Sequence, residues 1–156
     1  MTSLVIHREY FPDRANAVFR ESLIALRELM LNSDDSIEPR TEHEFAEGTY
    51  TRIMYLLAGQ AIVGKVHRRA CMNILLQGRI IVSSDELAPT DVEAPNWFVS
   101  GAGVAKAIYA VDDCIFMNVI PNPTNTRDVG LLEDWWTHED YDTRNLVYTR
   151  LTSGDC

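Results

Sequence analysis

The sequence predicts a mainly β fold, a small antiparallel β-barrel of jelly-roll type with an amphipathic helix before it and a short helix and tail behind it. Three observations predict it. Seven short β-rich runs follow one another between Tyr50 and Ile120, turn-forming residues separate them, and no helix-length segment interrupts them, which argues against parallel crossovers.

The runs are Tyr50–Leu57, Ala61–His67, Cys71–Leu76, Arg79–Ser83, Trp97–Ser100, Val104–Ala110 and Cys114–Ile120. Between them stand Ala58-Gly59, Arg68-Arg69, Gln77-Gly78, Asp85-Glu86, Gly101-Ala102-Gly103 and Asp112-Asp113. Before the runs, residues 14–31 read as a helix, because Ala15, Val18, Phe19, Ser22, Leu23, Leu26, Leu29 and Met30 recur at three- and four-residue spacing on one face. Asp13 is its N-cap candidate and Asn32 its stop. Asn32 to Glu47, polar, acidic and containing Pro39, reads as a connecting loop. After the turn-rich run PNPTNT, Asp128–Trp136 reads as a short helix leading into an acidic tail.

A chain of 156 residues is the usual size of one domain, so a single domain over 1–156 is expected, divided into the helix 14–31, the barrel 50–120 and an extension 121–156. With 46% hydrophobic and 24% charged residues it has the composition of an ordinary globular protein. No segment is long and apolar enough for a membrane helix, and the first residues lack the pattern of a signal peptide, so a cytoplasmic location and no membrane partner are expected. Cys71, Cys114 and Cys156 are odd in number and show no CxxC spacing, which argues against a disulfide framework and a structural zinc site.

The net charge of −9 opposes a phosphate backbone, so no nucleic-acid partner is expected. The charge is unevenly spread. Residues 34–47 hold six acids against Arg40 alone, residues 128–142 hold six acids and no lysine or arginine, and residues 48–84 hold five bases and no acid. With two lysines against twelve arginines, Arg52, Arg68, Arg69 and Arg79 suit planar pairing that would hold the acidic tail of the same or a neighbouring chain.

The segment from Gly59 to Ile120 resembles the cupin superfamily. Its first motif places two histidines one residue apart, then a glutamate, then a glycine. Here Lys65 stands at the first histidine position, His67 at the second, Cys71 at the glutamate position and Gly78 at the glycine. Ala94-Pro95 and Trp97-Phe98, followed by Gly101 and Gly103, are similar to the second motif without its histidine. The lines GKVHRRACMNILLQGRIIV and EAPNWFVSGAGVAKAIYAVDDCIF are closer still to small cupin-fold proteins of tailed phages. That resemblance implies a phage protein in the cytoplasm of a host cell or in a virion, and brings no assigned activity with it.

A cupin metal centre takes three imidazoles and a carboxylate. The chain has only His7, His43, His67 and His138, so no metal and no other cofactor is expected. Strand alternation places Lys65 and His67 on one face, and with Cys71 and Tyr109 they form a candidate cationic pocket for an anionic ligand. The alternative for these residues is structural: a histidine satisfied by a backbone partner, a lysine at the rim and a packed thiol. Phe19, Leu23 and Leu26 on the helix, with Trp135 and Trp136, form a candidate interface, and the tryptophans serve equally as anchors of the tail on its own barrel.

Two function classes follow. One is a non-enzymatic, metal-free phage-type protein acting through protein contacts, as a virion component or host-directed factor and as a homodimer or higher oligomer. The other is a small-molecule binder or non-metal enzyme using the pocket around Lys65 and His67.

Overall fold

The described residues of the computed structural model form ten strands and two helical segments. The structure describes residues 3–5 (backbone only), 25–30, 32, 34, 38–84 and 87–137. The strands are β1 (Ser3–Val5), β2 (Arg40–Ala46), β3 (Thr49–Leu56), β4 (Gln60–Val63), β5 (Cys71–Gln77), β6 (Arg79–Ser84), β7 (Thr90–Glu93), β8 (Asn96–Ser100), β9 (Lys106–Ala110) and β10 (Cys114–Pro121). Residues 25–30 are helical (α1), and Val129–Trp136 form α2.

The strands divide into two five-stranded sheets, ordered β1-β4-β9-β6-β7 (sheet A) and β2-β3-β10-β5-β8 (sheet B), with every pair antiparallel. Each of the seven expected runs contains a strand, but the run Ala61–His67 is one only to Val63 and the run Val104–Ala110 only from Lys106. Three more strands lie where none was expected. The acidic stretch read as a loop contains β2, and β7 lies before the cis Ala94-Pro95 bond. Both are edge strands with exposed charge, Arg40 and Glu44 on β2 and Asp91 and Glu93 on β7, which masks the apolar alternation. β1 pairs with β4 at the edge of sheet A.

On β3 and β10 the burial alternates strictly, turning Tyr50, Arg52, Met54 and Leu56 and then Cys114, Phe116, Asn118 and Ile120 towards sheet A. The main core, with Leu75, Ile80 and Ile108 at its centre, lies between the sheets. A second core lies on the other face of sheet A, where Leu26 and Met30 of α1 pack with Ala61, Val63, Ile81 and Ala107. Sheet A is covered on both faces, so β4 and β6 are buried almost continuously. Leu29, expected on the apolar face of the helix, is 62% exposed. Phe19 and Leu23 lie outside the described residues.

Gly78 carries the chain from β5 to β6 at φ +87°, and a Cβ there would stand 2.5 Å from the Asp113 carbonyl oxygen and 2.7 Å from the Cys114 sulfur. Only glycine meets both demands at once. Asp128 caps α2 by accepting a hydrogen bond from the Leu131 amide. Leu132 and Trp136 of α2 are buried, so the helix closes one end of the space between the sheets.

Candidate functional site

The interior between the sheets is apolar over most of its length and polar at the end beneath α2. Alternation brings Arg52 from β3, Cys71 and Asn73 from β5, Ser100 from β8, Lys106 from β9 and Asn118 from β10 to that end, all buried. His67 joins them from the segment after β4, where its backbone forms a single antiparallel bridge with Thr137.

These groups form one hydrogen-bonded network. The Lys106 ammonium donates to Asn73 Oδ1 at 2.8 Å and to Ser100 Oγ at 3.2 Å, and lies 3.9 Å from Cys71 Sγ. Asn73 Oδ1 also accepts from Asn118 Nδ2 at 2.9 Å, and Asn118 Oδ1 accepts from Arg52 Nη2 at 3.1 Å. Cys71 Sγ and His67 Nδ1 are 3.2 Å apart. Trp136 roofs the network, its ring 4.5 Å from the imidazole and 5.1 Å from Arg52 Cζ. A cavity of about 10 Å³ remains, bounded by Arg52, His67, Lys106 and Asn118 and by apolar walls including Met54 and Phe116. That is room for about one water-sized occupant.

The electrostatics of this end are dominated by two buried cations with no carboxylate on the cavity wall. Burial holds Lys106 down to about 8 and also lowers Arg52, which keeps its charge in any case. Burial, then the charges of Lys106 and Arg52, lower His67 to about 2, so its imidazole is neutral. Burial pushes the Cys71 thiol up, and the opposing pull of Lys106 and Arg52 does not reverse it. A raised pKa gives a protonated sulfur, which is a poor nucleophile.

Of the candidate pocket residues, the structure brings His67 and Cys71 together and places Lys65 and Tyr109 elsewhere. Strand β4 ends at Val63, so the alternation that would align Lys65 with His67 stops before either residue, and the Lys65 ammonium pairs with Glu133 of α2 at 3.1 Å. Tyr109 sits opposite Ala61 and Ile81 on β9, packed against the α1 side of sheet A. The ammonium beside His67 belongs to Lys106. Lys106, Asn73, Ser100 and Asn118 were not among the sequence candidates and Arg52 was expected to pair with the acidic tail rather than to bond Asn118 in the interior, although period-two alternation with isolated polar residues in apolar runs was the signal that could have found them.

Of the candidate interface residues, Leu26 and Trp136 are buried within this chain, and Trp135 lies half-buried under Arg69, whose Cζ is 4.0 Å from its ring. The Arg68 Nε–H donates to the Thr137 carbonyl oxygen at 2.7 Å, while Arg79 pairs with Asp91 rather than with the C-terminal segment.

The donors at this end do not fit a divalent metal. His67 and Cys71 are two potential ligands, but Lys106 reaches the same sulfur, and a second cation, Arg52, shares the cavity. Among the described residues no three His, Cys, Asp or Glu side chains converge. His43, on β2, bonds to the Tyr50 hydroxyl at 2.8 Å. A wider depression of about 410 Å³ lies at the opposite end, between Glu38, Tyr55, Gln60, Gln77 and Asp113, and no sequence candidate lines it. No described helix is long and apolar enough to cross a membrane.

No protein-family model and no curated protein matches the chain. Solved structures do. KdgF from Halomonas sp. aligns with a TM-score of 0.48 at 12% identity, covering 58% of this chain and 81% of its own. An RmlC-like cupin family protein with a double-stranded β-helix fold from Methanocaldococcus jannaschii aligns at 0.47 and 16% identity, covering 58% and 87%. Protein NMB1881 from Neisseria meningitidis aligns at 0.47 and 11% identity, covering 53% and 84%. The chain is mainly β, with every described strand pair antiparallel and the strands divided between two five-stranded sheets, an arrangement of jelly-roll type.

Proposed function

We propose that this protein is a metal-free cupin-fold protein that works through protein contacts, made by the outer face of sheet B and first of all with a second copy of itself. One observation carries the reading. The outward positions of β10, β5 and β8, with Ile53 of β3, form an apolar surface, with Trp97 68%, Val99 65%, Leu76 57% and Met72 42% exposed. The register makes them neighbours: Met72 lies opposite Val99, and Ile74 lies between Trp97 and Met117.

No outward position on these four strands is charged. In a chain of net charge −9, this is a surface on which two copies can meet without desolvating like charges. An exposed apolar patch of this kind marks an interaction site, and a patch facing its own copy forms an isologous two-fold contact. The β2 edge, with Arg40 and Glu42, adds a rim of both signs. The phage context, as virion component or host-directed factor, is supported only by the sequence resemblance. An interior substrate is disfavoured by the cavity of about 10 Å³.

The test is the mass of the native protein. Light scattering or native mass spectrometry should find a dimer, and Trp97→Glu with Val99→Lys should give a folded monomer, because both side chains are exposed. A wild-type monomer at high concentration, or a dimer that survives both substitutions, would remove the reading.

A further inference from the structure

We infer that the small cavity at the polar end of the interior is a binding site for one small monatomic anion, chloride in a cell, held between Arg52 and Lys106. The cavity wall carries two cations, Arg52 and Lys106, and no carboxylate. Both side chains are buried, at 8% and 7% exposure. The carboxylate that acts most on Arg52, Glu133, is already paired with Lys65 at 3.1 Å. Cys71 could balance one charge only as a thiolate, and its burial opposes that form.

An unused donor points the same way. Arg52, on the cavity wall, donates to Asn118 through Nη2, but its buried Nε–H has no acceptor. A buried donor without an acceptor is rare and costly, and an anion in the cavity satisfies this one as it neutralises the cations. Lys106, held down to about 8, remains protonated at neutral pH. The size of the cavity selects the ligand. About 10 Å³ admits a single atom of roughly water size, so carboxylates and phosphates are too large. His67, neutral throughout this range, adds no charge of its own.

The site is the electrostatic reverse of the metal centre that the cupin resemblance implies. An ammonium hydrogen-bonded to Asn73 and close to Cys71 supplies the positive charge from within the chain, and the exogenous partner becomes an anion. This proposal does not depend on self-association, since every group in it belongs to one chain.

The experiment compares the full-length protein in sodium chloride, sodium bromide and sodium gluconate at equal ionic strength. Chloride and bromide should raise the thermal midpoint saturably, by roughly 3–6 °C at ten times the half-saturating concentration, while gluconate should not. Bromide should also quench a buried tryptophan with the same saturation curve. Lys106→Met should abolish both responses. Equal midpoints in the three salts, or an undiminished halide response in Lys106→Met, would overturn the site. If that variant fails to fold, wild-type crystals in bromide decide the matter. An anomalous scattering peak in contact with Arg52 and Lys106 supports the site, and a water without anomalous signal there refutes it.

Discussion

The indole of Trp136 lies against the imidazole of His67 with ring centroids 4.5 Å apart, and this contact joins α2 to the polar end of the interior. It is reinforced by the backbone. The Arg68 amide donates to the Trp136 carbonyl oxygen at 2.8 Å, and His67 and Thr137 form a strand-like bridge. The C-terminal helix is therefore part of the core, and it shields the network around Lys106 from water.

Trp136→Ala should destabilise the protein by about 3–5 kcal/mol, the usual cost of removing a large buried aromatic ring. Trp135→Ala should cost much less, because that ring is only half-buried and packs chiefly against Arg69. Chemical denaturation of the two variants checks the order. Equal losses would mean that α2 does not seal the interior.

His67 makes the fold sensitive to acid. Its folded pKa of about 2 lies below the ordinary 6.5, so between these values the unfolded chain binds a proton that the folded chain does not. Stability from this group is complete above pH 6.5 and falls as the pH drops towards 2, by about 1.4 kcal/mol per pH unit inside the window. In His67→Gln the slope between pH 6.5 and 5, above the main carboxylate range, should flatten by about that amount. Denaturant midpoints measured across this interval for both proteins make the comparison.

Lys106 acts at the other end of the scale. Its pKa is lowered from 10.5 to about 8, so across that interval the unfolded state again holds the extra proton and stability rises with pH. The buried thiols of Cys71 and Cys114, both pushed up, bend the curve the opposite way. The lysine is therefore read from the difference between wild type and Lys106→Met, which should grow in favour of wild type from pH 8 to 10.5. A constant difference would mean that the ammonium is not desolvated.

Gly78→Ala should cost more than Gly48→Ala. Both positions have positive φ, +87° and +71°, and share the strain of an alanine there, about 1 kcal/mol. At Gly48 the new methyl meets nothing within 4 Å, whereas at Gly78 it strikes the Asp113 carbonyl and the Cys114 sulfur. An extra loss of roughly 1–3 kcal/mol is expected at Gly78 for this overpacking. Similar thermal midpoints for the two variants would contradict the close approach of the β5–β6 crossing to β10.

The strands of the middle were legible because their period is local. Alternation in Thr49–Leu56 and Cys114–Pro121 is written in neighbouring residues, and Asp128 announces α2 three residues before the amide it caps. Strands β2 and β7 were less legible because an edge strand needs little apolar surface and exposes its charges. The pocket failed at a boundary. Lys65 and His67 share a parity, but the strand that would make parity meaningful ends at Val63, and Lys65 turns to Glu133.

By itself, then, the sequence determined the mainly β architecture, the short C-terminal helix and the scarcity of metal ligands, since each depends on local period or on simple counting. Only the tertiary structure decided which polar residues meet. Arg52, Asn73, Ser100, Lys106 and Asn118 come from five different strands, and each alone reads as an ordinary polar residue in an apolar run. Their convergence with His67 under Trp136 depends on strand order and register across sheet B and on the packing of sheet A over it. Those are long-range pairings whose partners no local stretch of sequence identifies.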